Sequence, residues 1–176
     1  MSKFILNREQ CFWYFIIFIA IGDLVVPYLL APFYKGYSHK AMVMSSLGNP
    51  QSPVRIFYNC WLVLAGILLI AFSIFFYFKY NHISITIMLL VFSVGAMILA
   101  GLFSVNECKE TITLSSKIHG YGSAIGFMVL LFVPIILAFQ KYDIKYLPQI
   151  SSICFVIAFI SFSLFVMSDK PNLMIR

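Results

Sequence analysis

Five times along this chain, charge disappears for long enough to cross a bilayer. Residues 11–34, 56–78, 80–106, 118–140 and 146–168 hold a single Asp, Glu, Lys or Arg among them, Asp23. A transmembrane helix takes about 20 predominantly apolar residues to cross about 30 Å of hydrocarbon, and a water-soluble domain of this size could not bury so many Phe, Ile and Leu. The pattern predicts an all-α integral membrane helical bundle, with five transmembrane helices at about 11–33, 55–79, 83–105, 118–140 and 147–168.

With 176 residues, 62% of them hydrophobic and 10% charged, there is room for five spans and their connections, which reads as a single transmembrane domain over 1–176. In a soluble protein a net charge of +6 would suggest nucleic acid. Here Lys and Arg are scattered over the connections, where they reach headgroups, so the expected partner is membrane lipid and not nucleic acid. Lys3 and Arg8 before an apolar run resemble a secretory signal. The run is too long, lacks a small-residue cleavage site and contains Pro27 and Pro32, so it reads as a retained first span. The four cysteines form no C-x-x-C and have no His at zinc spacing, and neither a metal nor a cofactor is expected. Cys11, Cys60 and Cys154 read as small buried hydrophobes in helices. Cys60 and Cys108 share a membrane side and are the two that could meet as a disulfide.

Residues 35–53 are the main polar connection, rich in Gly, Asn and Pro turn chemistry, with a possible short interfacial helix at 41–47. Tyr80-Asn81-His82 reads as a tight turn that makes the second and third helices a hairpin, and Pro134 should kink the fourth helix. Alternating helix direction puts the first and third polar connections and the tail on one membrane face. That loop face carries Lys35, Lys40, Arg55, Lys109, Lys117, Lys170 and Arg176, against Lys3, Arg8, Lys79, Lys141 and Lys145 opposite. The split is too even for the positive-inside rule to assign an orientation.

Asp23 is expected roughly 15 Å below the loop face, at 1.5 Å per residue. An acid at that depth costs about 2.5–3.5 kcal/mol on insertion scales, so it should face the bundle interior. It could bind a cation, relay protons or anchor a headgroup, or it could simply be protonated and hydrogen-bonded to a neighbouring helix. In the fourth helix, positions 119, 122, 123 and 126 share a face, so His119 heads a stripe of Gly122, Ser123 and Gly126 that suits close helix approach. At the first turn of that helix His119 should meet water or headgroups, ready for proton transfer, metal ligation or a switch, or should bond a carbonyl. Asn59, Gly66 and Ser73 share a face of the second helix, and Ser151, Cys154, Ala158 and Ser161 read as a packing stripe on the fifth. The loop face adds Ser38, His39, Ser45, Ser46, Glu107 and Glu110. Serine catalysis is excluded: there is no G-x-S-x-G, Ser123 lies inside a helix, and no His follows it. The catalytic candidates are therefore His119, Asp23 and Glu107, and the ligand-binding candidates Asn59, His119, Ser45, Ser46, Ser123 and Asp23.

The order Tyr37-Ser38, Ser45-Ser46-Leu47-Gly48, Phe57-Tyr58-Asn59 with Gly66, Ala100-Gly101-Leu102-Phe103 and then His119 resembles the microbial multi-pass family known as domain of unknown function 998. The resemblance implies the fold, singles out Ser45, Asn59 and His119, and implies a cell membrane, that of bacteria. It names no reaction. The family usually has six helices and often an acid where this chain has Ser46, which weakens a catalytic or metal role there. Residues 172–176 look like the start of a sixth helix. The expected function is non-enzymatic: a small membrane protein with a polar pocket at the loop face, lined by Asn59, His119 and the turn at 45–48 with Asp23 beneath, that binds a lipid, a partner membrane protein or a second copy. The alternatives are an enzyme acting on a lipid headgroup with His119 as general base, and a proton-coupled transporter using Asp23.

Overall fold

The computed structural model describes residues 8–105, 113–140 and 145–167, and every regular element among them is helical. In hydrocarbon each backbone N–H and C=O must be satisfied within its own segment, so long apolar runs become helices. These are α1 (Arg8–Leu30), α2 (Arg55–Tyr80), α3 (Ile83–Leu102), α4 (Leu114–Phe139) and α5 (Leu147–Met167), and all five are long and apolar enough to span a membrane. The five expected spans stand, with their ends displaced by a few residues. Glu107, Glu110 and Cys108, named from the sequence, lie outside the described residues.

Helix ends follow local chemistry. Asn81, in the left-handed region at φ 52°, ends α2 by donating its N–H to the Tyr77 carbonyl. Thr113 caps α4, its hydroxyl accepting the Ser116 N–H at 3.2 Å. The cap starts α4 a turn earlier than the charge of Lys117 suggested. At Pro134, where a kink is expected, the helix is interrupted. The proline has no N–H for the Leu130 carbonyl, and the chain turns at Phe132 before resuming as Val133–Phe139. Pro27, by contrast, is fully buried inside an unbroken α1.

The helices form a row. Substantial helix contacts run from α1 to α2, α2 to α3, α3 to α4 and α4 to α5. Half of the apolar stretch of α3 is buried, against 11% for α1 and 6% for α5, so the outer helices present most of their surface to lipid. This corrects two sequence readings. Cys60 and Cys154 are exposed and not buried hydrophobes. On α5 the residues turned from the surface include Ser151, Phe155 and Ala158, with Phe155 against Phe132 at 6.1 Å, whereas Ser161 is exposed.

Central α3 is held on both sides by backbone approach. A Cβ on Gly95 would lie 2.5 Å from the Gly122 carbonyl oxygen of α4, and one on Gly126 would lie 2.9 Å from the Ala96 Cβ. On its other side, a Cβ on Gly66 of α2 would lie 3.1 Å from Met97 Cβ, and one on Gly101 would lie 2.8 Å from the Asn59 carbonyl oxygen. Small residues let spans touch where lipid supplies no hydrophobic drive for association. Between these contacts α3 widens into a π-helical stretch, Ser93–Leu99, that begins where the Ser93 hydroxyl donates to the Leu89 carbonyl at 2.5 Å. Within it Gly95 and Ala96 meet α4 while Met97 and Ile98 meet α2.

Candidate functional site

The connection between α1 and α2 folds inward at one end of the row. Leu47 is completely buried, and the polar residues Ser46, Asn49 and Ser52 are nearly so. Polar groups survive such burial only when bonded. Asn49 does much of this: its Oδ1 accepts the N–H groups of Gln51 (2.9 Å) and Ser52 (2.8 Å), and its Nδ2 donates to the Tyr34 hydroxyl at 3.3 Å. The Ser52 hydroxyl in turn accepts the Val54 N–H at 3.3 Å, just before α2. Met44–Gly48 is a short 3-10 helix, in place of the interfacial helix expected at 41–47, and it seats Gly48 against Asn59, whose Nδ2 donates to the Gly48 carbonyl at 3.4 Å. Gly36, at φ +91°, allows the sharp reversal after α1.

Under this cap lies an aromatic and acidic corner between α1 and α2. Trp61 lies across Gly22, whose missing side chain makes the room, and Phe18 meets its indole edge-on at 5.5 Å. Asp23, the next residue, is half-buried about 10 Å inside the end of α1 and has no ion-pair partner among the described residues. Its polar neighbour is the Trp61 indole. Trp61 Nε1 faces the carboxyl but is buried without closing a hydrogen bond. Tyr58, one turn before Trp61, lies within electrostatic reach of both Asp23 and Tyr37. Above it, the Tyr37 hydroxyl meets His39 Nδ1 at 3.1 Å, His39 stacks on Tyr28 at 4.1 Å, and His39 Nε2 is buried with no partner among the described residues. Burial and, second, the neighbouring Tyr28 hold the Tyr37 phenol above its ordinary range.

His119 is elsewhere. It sits in the second turn of α4, is 8% exposed, and does not face water as a first-turn residue would. Its Nδ1 donates to the Phe103 carbonyl at 2.8 Å and the Ala100 carbonyl at 3.1 Å, closing the C-terminal end of α3. Both partners are acceptors, so the proton is on Nδ1. Asn59 and His119, expected to line one pocket, both lie at the end of α3, which stands between them: Asn59 lies against Gly101 and His119 against Ala100 and Phe103. Asp23 belongs to α1 and α2, remote from His119. Ser123 is half-buried at the edge of the α3–α4 contact, and Ser45 is half-buried in the 3-10 helix. Thus the structure joins Asn59 to the turn at 45–48 and leaves Asp23 beneath, with His119 on the far side of α3. Among the described residues no three His, Cys, Asp or Glu side chains cluster closely enough to hold a metal ion.

The site residues that sequence reasoning missed are Trp61 and Asn49, together with Tyr37 and Tyr58, which it met as landmarks of the family resemblance and gave no place in the site. Tyr58 and Trp61 were hidden in a run of apolar letters, although their i, i+3 spacing opposite the sole intramembrane acid was a usable signal. An apolar concavity of about 380 Å³ lies between α3 and α4, lined by Leu90, Val94, Gly95, Leu99, Gly122 and Ile125.

Five apolar spans in a row, with a polar connection tucked over one end, define a multi-pass membrane protein of the all-α class. The chain belongs to the family described as Protein of unknown function (DUF998), whose model matches residues 17–174. No curated protein matches it, and no solved structure does.

Proposed function

We propose that this is a non-enzymatic membrane protein of a cell membrane, that of bacteria, which binds a membrane lipid at the capped end of α1 and α2. The observation that carries this reading is the open flank of that corner. α1 packs substantially on α2 and the connection alone, so Asp23 has polar company above it and no third helix beside it among the described residues. A ligand reaches such a corner sideways, from the bilayer. Asn59, Ser45 and Ser46 belong to the cap that would border the headgroup, and Ser123 and His119 lie with α3 and α4. The capping bonds of His119 favour a structural task for it over general-base catalysis, since they engage backbone carbonyls in place of an orienting acid.

The test is mass spectrometry of lipids retained through mild detergent purification. The expected result is one lipid class enriched over its share of the membrane and lost on Asp23→Asn, with His119→Ala retaining it. Retained lipid that mirrors bulk membrane composition would sink the reading and direct attention to a protein partner or a second copy.

A further inference from the structure

We infer that the corner formed by Asp23, Tyr58 and Trp61 receives an organic ammonium group. As far as the source is a lipid headgroup, this rests on the function proposed above; a free alkylammonium ion would share the same chemistry.

The inference begins with Asp23, a half-buried carboxyl at membrane depth whose surroundings supply no Lys, Arg or His partner. Ionisable groups inside a membrane are costly and are kept where something compensates them. An incoming cation would compensate this one. The surroundings also select the kind of cation. Trp61, Tyr58 and Phe18 bring aromatic rings to the corner, with Tyr37 in electrostatic reach of Tyr58. Ring quadrupoles attract cations, and desolvated Trp and Tyr rings do so best. Calcium or magnesium would need six or more oxygen ligands, and one carboxyl and phenols at a lipid-facing corner offer few of them; zinc would need His or Cys ligands, which the corner lacks among the described residues. A quaternary ammonium, weakly hydrated, asks for one counter-charge and several π faces, which is the inventory present, and a primary ammonium can in addition donate its N–H groups to the Asp23 carboxyl. An anionic headgroup would find no positive charge among the described residues of the corner to receive it.

The Trp61 indole, whose Nε1 faces the same carboxyl without closing a hydrogen bond on it, is the other half of the corner. Trp61 is only 8% exposed, yet its buried Nε1 lacks a hydrogen bond. Buried donors left unpaired are uncommon and costly. A zwitterionic headgroup resolves both defects at once, its ammonium at Asp23 and a phosphate or ester oxygen at Trp61 Nε1.

Trp61 also provides the readout, because the chain has two tryptophans and Trp13 packs on Phe72 and Tyr80, away from the corner. Full-length Trp13→Phe protein in detergent would be titrated with phosphatidylethanolamine, phosphatidylcholine and phosphatidylglycerol in mixed micelles, and with free ethanolamine and tetramethylammonium, while Trp61 emission is followed. The expected result is a saturable shift with the ammonium-bearing lipids, at least tenfold weaker binding of phosphatidylglycerol, and at least tenfold weaker ammonium binding in Asp23→Asn. Equal binding of phosphatidylglycerol and phosphatidylethanolamine would overturn the ammonium assignment while leaving lipid binding intact. Saturation by free ammonium ions with no lipid response would keep the assignment and overturn the lipid reading. No response to any of these probes would overturn both. Should Asp23→Asn fail to fold, the headgroup selectivity of the unsubstituted corner decides the matter alone.

Discussion

His119 and Phe103 are joined across two helices: the imidazole Nδ1–H of α4 donates to the Phe103 carbonyl, 2.8 Å away, just beyond the end of α3. Terminal carbonyls of a helix have no intrahelical partner, and a buried one left bare costs about 1–3 kcal/mol. His119→Ala should therefore destabilise the protein by about that much. Thermal unfolding in detergent, followed by loss of helical circular dichroism, checks it, and an unchanged midpoint would remove the capping role.

The α3–α4 seam should be intolerant of side chains at one glycine and indifferent at its neighbour. A Cβ on Gly122 would sit 2.9 Å from the Gly95 carbonyl oxygen, whereas Gly120 has nothing within 4 Å. Gly122→Val should cost about 1–3 kcal/mol through overpacking. Gly120→Ala should be neutral or stabilising by up to about 1 kcal/mol, since Ala is the better helix former. Equal behaviour of the two variants in the same unfolding measurement would contradict the seam.

Asn49 holds the cap by three hydrogen bonds, to Gln51, Ser52 and Tyr34. Asn49→Ala should loosen residues 34–54 and speed tryptic cleavage at Lys35 and Lys40, both exposed. Asn49→Asp keeps the acceptor for the two N–H groups, and the Tyr34 hydroxyl can turn to donate to the new carboxylate, so its cleavage rate should fall between those of the unsubstituted protein and Asn49→Ala. A rate for Asn49→Asp equal to that of Asn49→Ala would show that these acceptor bonds do not hold the cap.

Tyr37 should make the cap sensitive to alkali. Its folded pKa lies above the unfolded value of about 10. Below about pH 10 both states keep the proton, and the contribution is fully present. Above it the unfolded chain releases the proton first, so stability falls as pH rises, until the folded phenol also ionises. Tyr37→Phe should flatten that segment of the stability profile relative to wild type; parallel profiles would show that Tyr37 does not contribute.

Much of this architecture was readable in the letters. The hairpin at Asn81 and the break at Pro134 follow from one residue's tolerance of positive φ and another's missing N–H, properties that no neighbour alters. The start of α4 was misread because a Lys looked like the end of hydrocarbon, while the capping hydroxyl of Thr113 outweighed it. The packing face of α5 was half misread: Ser151 and Ala158 lie inward as expected, but Phe155 takes the place given to Cys154, and Ser161 is exposed. The candidate site was half legible: Asp23, Asn59 and the turn at 45–48 were identified, but the aromatic half of the corner was not. Tyr58 and Trp61 look like any apolar span residues until a neighbouring helix is known.

By itself, the sequence determined that the chain is a membrane protein with five spans, because the absence of charge over bilayer-length runs leaves the backbone no alternative to helices. Tertiary structure alone decided that the helices stand in a row, that α3 separates His119 from Asn59, and that Trp61 meets Asp23. Those relations depend on which helices adjoin and how they are rotated, and in a chain apolar on nearly every face, periodicity carries almost no record of either.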